Sequence, residues 1–294
     1  MEQFQKNKSL KKHSAIIFYL VYFSMVNICF AQGNTNNQSE EWIKIPATSM
    51  YSYDADIKTK NEFIQAERIK IIGNWDSLKV FEGLKSSDID VRMNSVRILG
   101  WIPANDKISE LEKLLLIDTS SEVRIMCAKS LALLGSYSAQ DALIKTLHDK
   151  DKSLVLEAAM ALASLGEKEK CLGVFQSLWT NADRRTKLQI NLSLLNIANS
   201  EAIVFLKTTL NDADPFVSVS AAIVLSEIKQ YEFAFPTLKQ KLNDPDRYVR
   251  MAALRGLAYI GNENSIQLIK GKLSDTDKLV KERSIEILKT SGLN

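Results

Sequence analysis

Residues 233–261 read FAFPTLKQKLNDPDRYVRMAALRGLAYIG, and this stretch decides the fold. Its first part has the apolar spacing of a helix and ends in an Asp-Pro-Asp turn, where aspartate can cap the helix that follows. From Val249 onward, apolar residues fall at offsets 0, 4, 5, 8 and 11, which marks one face of another helix. Gly261 can end that helix in the left-handed conformation. The stretch therefore predicts two helices joined by a short acidic turn.

The same pattern recurs along the chain with a period of 31 or 32 residues. The residues that open the equivalent helices are Val91, Val123, Leu154, Thr186, Val217, Val249 and Val280. Twelve positions after them, glycine occupies four of the seven slots, and residues 61–73 carry a further, weaker copy. Such a period predicts an all-α fold, a right-handed α-solenoid or superhelix of about eight stacked helix pairs.

Three motifs in the opening stretch carry a family resemblance. They are the Asp-Pro-Asp turn at 244–246, the Val-Arg pair at 249–250 and the Ala-Ala-Leu-Arg-Gly-Leu run at 252–257. The stretch resembles a HEAT repeat of the phycobilisome-lyase-like (PBS lyase) subgroup, with weaker copies over residues 61–294. The resemblance implies that each Val-Arg helix lines a concave side and that Asp and Arg form ladders between units. It implies ladder roles for Arg92, Arg124 and Arg250, and an interrupted ladder where the same slot holds Val155, Lys187 and Ser218.

Drawn as a wheel, each Val-Arg helix turns offsets 3, 6 and 10 outward, on the predicted concave side. We call the face formed by these offsets the outward stripe. A stripe that met only water would be polar, yet this one is partly apolar, with basic residues interleaved. The predicted partner-binding residues are Trp101, Met126, Leu133, Met160, Leu192, Ile223 and Tyr259, together with Arg97, Lys129 and Arg255. Either the stripe is a groove for a protein or peptide partner, or neighbouring helices bury it.

The N-terminal segment has the composition of a secretory signal peptide, which we assign to residues 1–31. Four lysines precede an apolar run from Ala15 to Asn27, and cleavage is expected after Ala31. The alternatives are an uncleaved membrane anchor and acylation of Cys29, against which the branched Ile28 argues. We interpret residues 32–60 as a polar linker and extended arm, and 61–294 as the repeat array. The protein is expected to be exported to the periplasm or cell envelope, or secreted.

The net charge of the chain does not indicate binding to nucleic acid or anionic lipid. The formal charge of +3 belongs to the signal segment, which holds four lysines and one glutamate, so the rest of the chain is formally neutral. The best basic cluster is Arg184, Arg185 and Lys187, a group more typical of a solvated helix start. A nucleic-acid-binding solenoid is therefore the least favoured alternative.

Few residues offer catalytic chemistry. His148 is the one histidine beyond the signal segment, and no nucleophile elbow or phosphate-binding loop occurs. We interpret the Asp-x-Asp turns as helix caps rather than calcium ligands, because a calcium loop needs further oxygens. Cys127 and Cys171 are expected to be buried free thiols rather than a disulfide. These observations predict a scaffold or adaptor that is not an enzyme and needs no cofactor or metal. The alternative is an enzyme or lyase-like subunit that handles a small ligand or pigment.

The fourth unit departs from its own pattern. Thr186 replaces the aliphatic residue that opens the other units, and Asn191 occupies the slot where other units have Ala128, Ala159, Ala222 or Leu254. An unpaired buried amide costs about 1–3 kcal/mol, which would make this unit a weak joint or hinge. The favoured alternative is an amide that bonds to a neighbouring carbonyl.

Overall fold

The computed structural model describes residues 77–101 and 105–290, and these residues contain helices and turns but no strand. The predicted signal segment at 1–31, the linker and arm at 32–60 and the weak copy at 61–73 lie outside them. No helix in the described part of the chain is long and apolar enough to cross a bilayer. The fold is an all-α solenoid of helix pairs, as the period predicted.

Fourteen helices follow one another in the described part of the chain. They are α1 (Ser77–Gly83), α2 (Ile89–Trp101), α3 (Ile108–Ile117), α4 (Ser121–Leu134), α5 (Gln140–Thr146), α6 (Lys152–Ser164), α7 (Lys168–Trp179), α8 (Arg184–Ile197), α9 (Ser200–Thr209), α10 (Pro215–Glu227), α11 (Tyr231–Lys241), α12 (Arg247–Ile260), α13 (Glu263–Gly271) and α14 (Lys278–Thr290). The even-numbered helices carry the repeat register. Each begins two residues before its register residue, as Arg247 does before Val249.

The chain divides into two compact units between Glu167 and Lys168. Within each unit, successive even helices pack on one another, and each odd helix packs on the even helix that follows it. The contact between α2 and α4 depends on a small residue, because a Cβ added to Gly100 would lie 2.7 Å from the Ser130 Oγ. The Ser130 hydroxyl donates to the Val96 carbonyl at 2.9 Å. Small residues thus let neighbouring even helices approach closely.

In the five repeats where the structure describes it, the slot twelve residues after the register residue ends the helix in the left-handed conformation. Gly135, Gly166 and Gly261 have positive φ, as glycine readily does. The same slot in α8 and α10 holds Ala198 and Lys229, which have φ values of 42° and 64°. The repeat geometry therefore imposes this cap even on residues with a Cβ, which adopt it at a cost.

The acidic turns are helix caps. In the turn before α6, the Asp149 carboxylate accepts from the Asp151 N–H at 2.9 Å. Asp151 in turn accepts from the N–H groups of Ser153 and Leu154 at 2.8 and 3.3 Å. Equivalent aspartates cap α8, α10 and α12. The interpretation as caps is confirmed. Within 77–101 and 105–290, no cluster of three or more acidic, histidine or cysteine side chains could hold a metal.

Basic side chains join each turn to the next, as the resemblance implied. Arg92 donates to both carboxylate oxygens of Asp118 at 2.8 and 2.9 Å and to the Ser86 carbonyl at 2.8 Å. The equivalent pairs are Arg124 with Asp149 at 2.6 Å, Lys187 with Asp212 at 2.7 Å, and Arg250 with Asp275 at 3.0 Å. The expected interruption was wrong at Lys187, because a lysine is long enough to reach the same carboxylate. Only the uncharged Val155 and Ser218 break the ladder within the described residues.

The polar residue of the fourth unit is satisfied. Asn191 is fully buried, and its amide nitrogen donates to the Val217 carbonyl at 3.1 Å and to the Ser220 hydroxyl at 2.8 Å. Its amide oxygen accepts from the Thr209 hydroxyl at 3.1 Å. The side chain therefore joins α8 to α9 and α10, which confirms the favoured alternative of a bonded amide.

Candidate partner-binding face

The outward stripe is buried in the middle repeats. Met160 on α6, Leu192 on α8 and Ile223 on α10 are buried. The prediction that they face a partner was therefore wrong, and the alternative that neighbouring helices bury them is confirmed. The reason is close packing, because ten consecutive residues are buried in each of the segments 154–163 and 217–226. Their alanines and serines let the neighbouring helices close over them. These three side chains are not available to a partner in this conformation.

The other predicted residues are more accessible. On α2 and α4, Arg97 is exposed, whereas Met126, Lys129 and Leu133 are half-buried. The Lys129 amino group lies 3.6 Å from the buried Glu157 carboxylate. The side chain of Trp101 lies outside the described part of the structure. On α12, Arg255 is half-buried and Tyr259 is exposed. The predicted stripe is thus brought to the surface in separate parts.

The clearest accessible face lies on α12. Tyr248 is 49% exposed and Tyr259 is 40% exposed, with Ala252 and Arg255 between them at helical spacing. The Arg255 guanidinium donates to the Tyr259 hydroxyl at 3.3 Å and lies 5.6 Å from the centre of its ring. We call these four residues the α12 face. Tyrosine and arginine are the side chains that most often dominate protein interfaces.

An apolar row continues from Tyr248 to the adjoining even helices. Phe216 of α10 and Leu279 of α14 occupy the same position, one residue before the register residue, and Leu279 is exposed. Arg184 lies over the Phe216 ring at 4.9 Å, and Arg247 lies over the Tyr248 ring at 5.0 Å. This row was not predicted, because it lies one residue before the register residue and so outside the offsets used to define the outward stripe. The signal was a change from the polar Asp90, Glu122 and Ser153 to apolar residues at one slot.

Two charged groups of the outward stripe have shifted pKa values. Loss of hydration raises the pKa of Glu227 at the end of α10, and the charge of Arg255 and a hydrogen bond with Tyr259 oppose that rise. Loss of hydration likewise lowers the pKa of Arg97, whose guanidinium donates to the Asn94 side chain at 2.9 Å. Glu227 gives the α12 face a negative border beside its arginine.

The candidate catalytic groups are dispersed. His148 is exposed just after α5, whereas Cys127 and Cys171 are buried and free, as expected. Burial raises the pKa of the Cys127 thiol, so the reactive thiolate form is disfavoured. Of the basic cluster, Arg184 and Lys187 form ion pairs with the next acidic turn. The cluster is therefore largely part of the ladder.

Comparison with protein families gives a match to HEAT repeats over residues 108–194 and 235–294, which is half of the chain. The chain belongs to the HEAT-repeat family. Its two matched segments run from α3 into α8 and from within α11 to the end of α14, and they hold the ladder residues Arg124, Lys187 and Arg250 and the α12 face. Comparison with curated protein sequences gave no match.

Solved structures share the fold of this HEAT-repeat protein. One is the complex of CpcE and CpcF of phycocyanin lyase from Nostoc sp. PCC7120, with 19% identity and a TM-score of 0.51 over 74% of this chain and 95% of that chain. Another is the Escherichia coli protein YibA, with 16% identity and a TM-score of 0.51 over 87% of this chain and 99% of that chain. At these identities the likeness is one of fold, and it agrees with the resemblance to phycobilisome-lyase-like repeats.

Proposed function

We propose that this HEAT-repeat protein is an exported scaffold or adaptor that binds a protein or peptide partner and carries out no reaction itself. The α12 face is the observation that supports the proposal. Two exposed tyrosines flank one arginine there, and a partner that covered them would remove large apolar surfaces from water. Burial of a side chain of this size contributes about 1.5–3 kcal/mol.

The apolar row gives this face the dimensions of a short peptide. Phe216, Tyr248 and Leu279 lie on α10, α12 and α14, which pack in that order. Adjacent helices lie about 8–10 Å apart, so the row spans roughly 20 Å. An extended chain of about six residues covers the same distance. Arg184 and Arg247, which stack on the row, pair with Asp214 and Asp277 but keep about half of their side-chain surface exposed, and carboxylates of such a partner would bind to that exposed side.

Site-specific photocrosslinking in the native compartment tests partner binding. A photoreactive phenylalanine derivative in place of Tyr259 is expected to crosslink a discrete protein, identified by mass spectrometry. The same derivative in place of Tyr137, which is exposed in the turn before α5, is the matched control. The crosslink should disappear in a Tyr248→Ser variant. Equal crosslinking at both sites, or no adduct at Tyr259, would contradict the proposal.

Export is proposed from residues 1–31 and needs its own test. Cell fractionation should place the protein outside the cytoplasm, and N-terminal sequencing should begin at Gln32. An N-terminus at Met1 would indicate a retained segment, and a lipid on Cys29 would indicate the acylated alternative. A visible absorption band in the purified protein would instead support the pigment-handling alternative, and a steep loss of nucleic-acid affinity with salt would support the nucleic-acid alternative.

A further inference from the structure

A second surface feature lies on the odd helices, away from the outward stripe. It is a cavity of about 580 Å³ between α7 and α9, open to solvent. Its lining is Glu169, Leu172, Gly173, Gln176, Ser200, Glu201 and Val204. All of these residues belong to the unit 168–294, and none of them forms the α12 face.

The cavity is lined by a glycine that helix packing does not require. Gly173 lies in the interior of α7, where glycine weakens a helix relative to alanine. A Cβ added there would meet nothing within 4 Å, whereas one added to Gly100 or Gly256 would meet a neighbouring side chain closer than 3 Å. Gly173 lies five residues before Leu178, a leucine that recurs every 31 or 32 residues at or just after the end of the odd helices. The same slot elsewhere holds Glu110, Ala142, Phe205, Thr237 and Leu268.

The lining combines an apolar surface with unpaired negative charge. Val204 is 61% exposed and lies beside the buried Leu172, so an aliphatic surface faces the opening. Glu169 and Glu201 are exposed in the first turns of α7 and α9, and neither has a cationic partner among the described residues. The helix dipole favours acidic residues at these positions. The dipole does not account for the exposed Val204 or for the interior Gly173. A bound group that fills the cavity would account for both.

We propose that this cavity binds a basic segment of a partner protein. A lysine or arginine would lay its aliphatic stem on Gly173 and Val204, and its charged end would interact with Glu169 and Glu201. The site is separate from the α12 face, so either can be lost without the other. Charge complementarity selects this occupant, since an acidic segment would be repelled by two exposed carboxylates that form no ion pair among the described residues.

Methyl NMR on the purified protein tests the site directly. The probe is the acetylated, amidated peptide Gly-Lys-Leu-Lys-Gly, and the matched control peptide has glutamate in place of both lysines. The lysine peptide is expected to shift the methyl signals of Leu172 and Val204, whereas the control peptide should not. Raising sodium chloride from about 50 to 300 mM should weaken the binding several-fold. The absence of shifts at these methyl groups, or equal shifts with both peptides, would overturn the proposal.

Two variants separate binding from folding. Gly173→Leu fills the cavity and should reduce affinity about tenfold or more while the melting temperature stays at or above that of the wild type. The double variant Glu169→Lys with Glu201→Lys should abolish binding, because it reverses the charge of the lining while Gly173 and Val204 stay in place. Its control, Glu232→Lys with Glu263→Lys, makes the same charge change in the first turns of α11 and α13 and should retain affinity within about twofold. Equal loss in both double variants would show a general charge effect and refute the site.

Discussion

The helices α10 and α12 are built from the same repeat pattern and pack side by side, yet they differ in how many side chains they expose to solvent. On α10 the residues from Val217 to Ser226 are all buried, and Ile223 of the outward stripe is only 4% exposed. On α12 the equivalent Arg255 is half-buried, and Tyr248 and Tyr259 extend into solvent. Repeat position therefore fixes the direction of a side chain, but its length and its neighbours decide whether it reaches the surface.

The largest expected effect comes from placing a charge on the outward stripe of each helix. Ile223→Asp should destabilise the protein by about 3–5 kcal/mol, because it buries an unpaired carboxylate in the α10 interface. Tyr259→Asp on α12 should leave the urea midpoint nearly unchanged and remove partner crosslinking. Equilibrium unfolding followed by circular dichroism measures both. An Ile223→Asp variant that unfolds like the wild type would show that α10 has an open face after all.

The ladder distinguishes the two helices further, because α12 carries Arg250 where α10 carries Ser218. Arg250 and Asp275 are almost fully buried, so Arg250→Ala should cost about 2–4 kcal/mol by leaving that carboxylate with only Lys272 nearby. The control is Arg247→Ala, whose pair with Asp277 is more exposed and should contribute much less to stability. Urea titration gives both values. Equal losses would mean that burial does not set the strength of these pairs.

The stabilisation from the Arg250–Asp275 pair should also depend on pH. Burial alone would raise the pKa of Asp275, but the Asp277 N–H, Arg250 and Lys272 together hold it below its usual value. A carboxyl with a lowered pKa contributes its full stabilisation above its unfolded pKa of about 4, and loses it as the pH falls through the folded value. Arg250→Ala should therefore show a smaller loss of stability than the wild type between about pH 4 and pH 2. Parallel curves would contradict this assignment.

The smallest expected effect concerns how the two helices end. Lys229 after α10 and Gly261 after α12 both have positive φ, near 64° and 62°. Lys229→Gly should stabilise the protein by about 0.5–1 kcal/mol, because the left-handed strain outweighs the added freedom of the unfolded chain. Gly261→Ala should destabilise it by about 1 kcal/mol. Melting temperatures with opposite shifts would confirm the pattern, and a loss of stability in Lys229→Gly would refute it.

Local chemistry explains what could be predicted from the sequence. The register located the start of all seven even helices because aspartate caps and apolar spacing act over a few residues. The register also located the slot that holds Ala198 and Lys229, but the absence of glycine gave no reason to expect the left-handed conformation that both adopt. Exposure was harder to predict, since the burial of Met160, Leu192 and Ile223 depends on how closely neighbouring helices approach. The row from Phe216 to Leu279 and the cavity at Gly173 depend on side chains that meet only after the repeats stack.

The turn aspartates cap one helix and also contact the preceding even helix, which affects how the array unfolds. Asp151 caps α6 and also accepts a hydrogen bond from Ser121 of α4, and Asp277 caps α14 and pairs with Arg247 of α12. A repeat that frays from its neighbour therefore loosens the start of its own helix at the same time. Within each unit, opening should spread over whole repeats rather than single turns, and hydrogen exchange should report blocks of about 31 residues.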